Sequence, residues 1–329
     1  MKKIKLKGMG FYAPEKVLSN QDFEKMVDTS DEWIITRSGI RNRHVVSPEQ
    51  ATSDLALQAS IEALKQAGLK AEDLDLIVVG TSSPDMIFPS VGCLIAEQLH
   101  APRPMAFDVS AGCSGFLYSL SVAEQYLRTG KYHNALVLGA DCISRFTDYT
   151  DRSTCVLFGD GAGALVLANE DQGDDFILDS INGTDPYGSS KLTLPGGGSR
   201  KPASAETLVQ RDHFIKMNGK DIFKFATRIS ETLINEILHK NHLSKDDIRW
   251  YAFHQANIRI IDSAVDRLGL SKNQVMITLD EYGNTSSASV PMSLYQYAQQ
   301  GKLNKGDLVL MVVFGAGLTY AASLVRWQL

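Results

Sequence analysis

The sequence has no Cys-x-x-Cys pair and only four cysteines in all, Cys93, Cys113, Cys142 and Cys155. That spacing excludes the common structural zinc frameworks, and no metal site is expected. The chain lacks any apolar run near the roughly 20 residues that a spanning helix needs, so no membrane partner is expected. It lacks a strong charge of either sign. A net charge of −5 gives no global pull toward nucleic acid or anionic lipid. The opening MKKIKLKGMGFYAP has positive charge but no apolar core of a secretory signal, and it reads as a first strand through Ile4 and Leu6. A reduced, cytoplasmic compartment fits this cysteine usage. Cys93, in VGCLIAEQL, and Cys155, in TCVLFG, both read as core.

What is present centres on residues 105–127, MAFDVSAGCSGFLYSLSVAEQYL. An apolar run, Met105 to Val109, meets a small-residue elbow, Ser-Ala-Gly-Cys-Ser-Gly. Phe116, Leu117, Leu120, Ala123 and Leu127 then recur at helical spacing. Cys113 therefore sits where a strand turns into a helix, with Gly112 and Gly115 removing side chains that would crowd it. A thiol there faces unpaired N–H groups and the positive end of the helix dipole, which favour a thiolate and bind an oxyanion. The stretch alone fits a small buried hydrophobe equally well. The dipole supplies about 0.3–1 kcal/mol, up to ~2 when partly buried, against about 1.4 kcal/mol per pH unit. A nucleophilic Cys113 therefore calls for a nearby histidine.

The 329 residues hold roughly two domains' worth of core. Asp54 to Leu69 reads as an amphipathic helix closed by Gly68, Asp75 to Gly80 as a central parallel strand, and Ser90 to Leu99 as a helix. Asn134 to Ala140 and Ala162 to Ala168 are further strands. Polar residues from Asn169 to Asp175 mark a crossing between halves, 1–172 and 173–329. Residues 183–205, rich in Gly, Pro and Ser, read as a long surface loop, and helix signals resume from Asn218 to Lys240.

The second half repeats the first. LKAEDLDLIVVG (69–80) matches LSKDDIRWYAFH (243–254), setting Gly80 opposite His254. Residues 104–131 match 275–302 at one offset, 171, which sets Cys113 opposite Asn284 and Gly130 opposite Gly301. GDGAGALVLA (159–168) matches VFGAGLTYAASLV (313–325). Two copies of a βαβ-rich unit predict an α/β sandwich with pseudo-twofold symmetry, in which equivalent strand ends converge. Cys113, Asn284 and His254 then meet in one place.

His254 ends the apolar strand WYAF, where sites of α/β sheets gather. Asn284 lies in a Gly-Asn turn before a helix, where it could simply be a cap. An imidazole N–H and an amide N–H together suit a carbonyl that becomes an enolate.

VSAGCSGFLYSL, HQANIRII and EYGNTSSASVP resemble the signatures of the β-ketoacyl-acyl-carrier-protein synthase III family, thiolase-fold enzymes that start bacterial fatty-acid synthesis. VDTSDEWIITRSGIRNRH (27–44) and FGAGLT (314–319) match as well. The resemblance covers nearly the whole chain. It implies a thiolase-like, internally duplicated αβαβα sandwich and a catalytic triad of Cys113, His254 and Asn284. The implied reaction is ping-pong: acyl-CoA acylates Cys113, and malonyl-acyl-carrier protein then loses CO2 and attacks. No metal or organic cofactor is implied. Backbone N–H groups of Cys113 and Ala316 would hold the oxyanion. Trp33, Arg37, Arg152 and Asn257 resemble CoA contacts. Gln255, Ala256, Asn257, Ile258 and Arg259, with Lys224, resemble the carrier-protein contacts. Phe88 resembles a residue that closes the partner's acyl pocket in a homodimer.

Two departures bear on primer preference. Tyr320-Ala321 stands where the family often has Trp-Gly, and Lys220 stands where some members have a neutral amide. Three rival readings differ in what they require. A related thiolase-fold acyltransferase, priming a polyketide or forming an ester, shares Cys113 and His254. A cysteine thioester hydrolase needs only the Cys-His pair. A non-catalytic carrier-binding module leaves Cys113 expendable. GDGAGA (159–164) is a weak dinucleotide-motif match with no helix following and reads as a tight hairpin.

Overall fold

Continuous apolar runs become strands with both faces covered. The computed structural model describes residues 1–329. Five strands form one sheet: β1 (Lys3–Tyr12), β2 (Leu76–Gly80), β3 (Met105–Val109), β4 (Asn134–Cys142) and β5 (Asp160–Glu170). Their spatial order is β1-β5-β4-β2-β3. All five residues of β2 are buried, and parallel partners flank it on both sides. Four strands form the second sheet: β6 (Ile177–Thr184), β7 (Trp250–Phe253), β8 (Leu308–Gly315) and β9 (Thr319–Arg326), in the order β7-β8-β9-β6.

Side-chain alternation along the strands separates the layers. Leu76 and Val78 of β2 join a central cluster with Trp250 and Ala252 of β7. Between the sheets lie α3 (Gly115–Arg128), which contributes Phe116 and Leu120, and α6 (Ser289–Gln299), which contributes Val290 and Leu294. Ile77 and Val79 face the other way, onto α1 (Thr52–Ala67) and α2 (Val91–Gln98). Tyr251 and Phe253 likewise face α4 (Gly219–Lys240) and α5 (Ile258–Leu268). The result is the five-layer αβαβα sandwich of the thiolase fold. No helix is long and apolar enough to cross a membrane.

The internal repeat is explicit in the pairing. β4 pairs parallel with β2 and antiparallel with β5, as β8 does with β7 and β9. β5 pairs β1 as β9 pairs β6. The counterpart of β3 is reduced to one parallel bridge, Tyr251 to Val275.

The structure corrects the register of the repeat at its centre. The turn Gly112–Ser114 before α3 corresponds to Ser286–Ala288 before α6. Gly112 and Ser286 share a left-handed φ, 56° and 52°. Cys113 is therefore matched by Ser287, and Asn284 lies three residues earlier. The ungapped sequence match failed because the second half carries extra residues before the turn and a shorter helix after it, 11 residues against 14.

Three other expectations change. Residues 159–164 are no hairpin: from Asp160 they run straight into β5. A Cβ on Gly163 would fall 2.7 Å from Pro291 Cβ, so its bare backbone lets α6 approach. Residues 183–205 are not all surface loop. Asp185 and Leu318 exchange backbone hydrogen bonds of 2.8 and 3.2 Å, and Leu192–Thr193 pairs with Lys216–Met217. This strapping turns Leu192 inward. Cys155 is buried, but Cys93 is exposed, because its position on α2 falls on the solvent side of that amphipathic helix.

Candidate active site

Each catalytic candidate stands at the end of an element, where the two sheets' connections cross. Cys113 occupies the turn before α3, His254 follows β7, and Asn284 precedes the turn to α6. All three line one cavity of about 290 Å3. A second cavity, about 390 Å3, opens on the other side of Cys113 and is walled by Ile143, Phe146, Leu192, Leu194 and Ile215.

Backbone packing brings two N–H groups together at the thiol. A Cβ on Gly315 would lie 2.5 Å from Cys113 N, and one on Gly112 would lie 2.5 Å from Ala316 N. The Cys113 and Ala316 turns therefore touch through glycine on both sides. This is the close approach that a two-donor oxyanion hole requires.

Asn284 is fixed at one end. Its Oδ1 accepts the Ser286 N–H at 2.9 Å, so its amide NH2 is left for the cavity. The capping and functional readings of this residue are thus compatible. The His254 Nδ1 lies 2.7 Å from Ser289 Oγ, which leaves Nε2 for the cavity. The Phe314 ring meets the imidazole edge-on at 5.2 Å. Ser289 and Phe314 were not evident in the sequence; only the Ser-rich run after Asn284 hinted at the first.

Burial sets the charge state of the pair. It pushes the Cys113 thiol up to about 12, helped by the Asp141 carboxylate and opposed by the Ser286 hydroxyl. Cys113 is partly exposed, to the two cavities it lines. Burial also pushes the His254 imidazole down to about 3. The resting pair is a neutral thiol and a neutral imidazole. The helix start alone does not give a thiolate, because desolvation outweighs the dipole.

Comparison with known proteins fits this geometry. Residues 107–186 match the 3-oxoacyl-[acyl-carrier-protein] synthase III family and residues 238–327 match its C-terminal domain. The β-ketoacyl-[acyl-carrier-protein] synthase III of Caldanaerobacter subterraneus is 51% identical over 321 residues, 98% of this chain and 97% of that protein. The synthase III of Syntrophomonas wolfei is 50% identical over 325 residues, 99% and 98% of the two. The chain belongs to the synthase III family. The Aquifex aeolicus synthase III structure is 41% identical with a TM-score of 0.89, covering 99% of this chain and 100% of that one. A priming β-ketosynthase from a polyketide pathway is 33% identical with a TM-score of 0.91, covering 99% and 97%.

The positions named by family resemblance divide in two. Trp33 and Arg37 lie four residues apart on the helix Asp31–Ser38 and share its cavity face. The Arg152 guanidinium lies 4.9 Å over the Trp33 ring. Asn257 caps α5 through the Arg259 N–H and also lines the cavity, as does Ala256. Arg259, Lys224 and Lys220 line an adjoining surface pocket that shares Phe223 and Asn257 with this cavity, with Arg259 over the Phe223 ring at 5.7 Å. Gln255 does not belong with them. It is buried, its Nε2 donates to Phe253 O and Met276 O, and its Oε1 accepts from Thr278 and Leu279 N–H. Ile258 also turns inward, onto Gly39. Gln255 and Ile258 thus point away from Arg259: a strand end and a helix start alternate direction, so HQANIR cannot present every residue outward. Phe88 is 81% exposed, beside the exposed Ile87, and lines neither cavity of its own chain. Tyr320 packs on Gly183 and likewise lines neither cavity.

Proposed function

We propose that this enzyme condenses an acyl-CoA primer with malonyl-acyl-carrier protein, releasing CO2 and CoA, to start fatty-acid synthesis. The observation that carries the reading is the common cavity of Cys113, His254 and Asn284, with Oδ1 of Asn284 and Nδ1 of His254 both tied back.

In the first half-reaction, the Cys113 sulfur attacks the thioester carbonyl carbon as its proton passes to His254 Nε2. The N–H groups of Cys113 and Ala316 hold the oxyanion. The C–S bond to CoA then breaks, and the CoA thiolate takes the proton. Between the half-reactions, as CoA leaves and the site opens to water, the imidazole exchanges its Nδ1 proton for one on Nε2 through solvent, and the Ser289 hydroxyl turns from accepting from Nδ1 to donating to it. In the second half-reaction, the Asn284 amide and the Nε2–H bind the malonyl thioester carbonyl. Cleavage of the C–CO2 bond leaves its electron pair as an enolate, stabilised by those donors. That carbon attacks acyl-Cys113 and expels the Cys113 thiolate, which takes a proton from solvent to restore the resting thiol. Decarboxylation supplies the carbanion, so no cofactor is assigned.

The entrance suits both substrates. Trp33, Arg37, Arg152 and Asn257 would take CoA, with the adenine parting the Trp33–Arg152 stack. Arg259 and Lys224 would meet the acidic carrier protein. The apolar second cavity would take the acyl chain. We assign a homodimer, supported by the half-buried edge strand β3 and the exposed Ile87 and Phe88. A reduced, cytoplasmic setting suits the free thiols.

The test is mass spectrometry of Cys113 after acyl-CoA incubation, run beside malonyl-carrier-protein decarboxylation. Protein never acylated at Cys113 would refute the reading. The similarity to a polyketide-priming ketosynthase favours one second reading, priming of that kind of pathway, and competition between carrier proteins separates the two.

A further inference from the structure

Asp141 takes no part in the scheme above, yet no carboxylate near the site has more partners. It lies near the end of β4, fully buried. Its Oδ1 accepts from Ser82 N–H at 2.7 Å, Ser83 Oγ at 2.8 Å and Thr81 Oγ1 at 3.1 Å. Its Oδ2 accepts from Ser287 N–H at 3.0 Å and Ser287 Oγ at 2.6 Å. The same Ser287 hydroxyl lies 2.7 Å from Gly80 O.

The internal repeat explains the place. Ser287 is the counterpart of Cys113 and Gly80 that of His254. The registers of β2 on β4 and β7 on β8 make Asp141 the counterpart of Gly315. The molecule thus contains the same crossing twice. In one, the Cys113 turn meets His254 and Gly315 beside a cavity. In the other, the Ser287 turn meets Gly80 and Asp141 and is filled with hydrogen bonds. That filled crossing supports the open one. The turn it anchors carries Asn284 itself, Ser286, which lines the second cavity beside Cys113, and Ser289, which holds His254. Ser287 sits in the middle of that turn.

We propose that Asp141 is a positioning residue: by gripping Ser287 from the opposite half, it sets Asn284, Ser286 and Ser289 against Cys113 and His254. This rests on the function proposed above. Asn at position 141 keeps the size but not the role. Its NH2 must face either the Ser287 N–H or the Ser82 N–H, donor against donor, in a buried site. Ser287→Ala keeps the carboxylate and its N–H bond and removes only the hydroxyl.

The carboxylate also reaches the thiol electrostatically, so removing its charge eases ionisation of Cys113. Other groups on the packed elements do little there. His254 is neutral, and Glu124 and Arg128 pair with each other at the far end of α3. Tyr118 and Tyr126 lie on α3. β9 carries Tyr320 and, at its far end, Arg326.

The experiment compares wild type, Asp141→Asn, Ser287→Ala and Ser119→Ala. Ser119 is a control, a buried hydroxyl without a hydrogen-bond partner. Melting, Cys113 acylation, malonyl-carrier-protein decarboxylation and iodoacetamide alkylation of Cys113 across pH are measured. In Asp141→Asn, decarboxylation should fall about ten- to hundredfold, and further than acylation, because it needs both tied-back donors in register. Its alkylation at pH 7.5 should be about threefold faster or more, while Ser287→Ala keeps the wild-type alkylation profile. Parallel loss of both half-reactions with the folded fraction, and an unchanged alkylation profile, would overturn the proposal. If Asp141→Asn does not fold, Ser287→Ala decides: decarboxylation within about twofold of wild type overturns it. If wild type itself catalyses neither half-reaction, the functional reading fails, and the alkylation profile still judges the role of Asp141.

Discussion

Ser289 Oγ stands 2.7 Å from His254 Nδ1, and this contact decides which imidazole nitrogen meets substrate. Gln255 N–H also points at that oxygen, at 3.4 Å. Ser289→Ala should free the ring to rotate and change tautomer. Decarboxylation is expected to fall about five- to tenfold, since a buried hydrogen bond contributes ~1 kcal/mol. Nitrogen chemical shifts of the imidazole should report the changed tautomer; unchanged shifts would contradict this account.

The two half-reactions make separate demands on the triad. Cys113→Ala should abolish acylation outright. His254→Ala and Asn284→Ala should spare acylation more than decarboxylation, because the enolate needs both donors. Intact-mass acylation rates beside CO2 release check this, and equal losses in both steps would count against the division of labour.

The buried imidazole should make the fold acid-sensitive. His254 is held at about 3 when folded, below the unfolded value near 6.5. Between those values the unfolded chain binds the extra proton, so stability is full above pH 6.5 and falls as pH drops, by up to about 1.4 kcal/mol per pH unit. The Cys113 thiol, raised to about 12, works in the opposite direction. Its contribution is full below about pH 8.5 and is lost as pH rises toward 12. Urea midpoints between pH 7 and 4.5 should decline in wild type and decline less in His254→Leu. Identical slopes would show that the histidine is not the cause.

Gln255 and Arg259 are neighbours in sequence but should behave differently. Gln255→Ala breaks four internal hydrogen bonds and should lower stability by about 2–3 kcal/mol, with carrier affinity unchanged in the folded fraction. Arg259→Ala and Lys224→Ala should leave melting unchanged and raise KM for the carrier about two- to tenfold, an effect that fades at high salt. Salt-dependent steady-state kinetics separate the two outcomes.

The oxyanion site depends on a missing methyl group. In Gly315→Ala the new Cβ would sit 2.5 Å from Cys113 N and force the two turns apart. Acylation should fall about a hundredfold or more, as when an oxyanion donor is lost. A folded Gly315→Ala protein that acylates at the wild-type rate would disprove the close-packed arrangement.

The sequence by itself determined the elements and most of the chemistry. Apolar runs such as Leu76–Gly80 can be stable only with both faces covered, and helical spacing in α3 gives its buried stripe, so these features are local and legible. Cys113, His254 and Asn284 could be singled out from the signatures VSAGCSG, HQANIR and EYGNTSS, and the structure sets all three on one cavity. Tertiary structure decided what depends on non-local packing. It paired Cys113 with Ser287 rather than Asn284, because extra residues before the turn and a shorter helix after it offset each other along the sequence and are told apart only in three dimensions. It buried Gln255 and exposed Cys93, since a side chain's direction at an element's end follows from the neighbours it meets. It also set the thiol and imidazole neutral, because desolvation is a property of the surrounding protein and not of the residue.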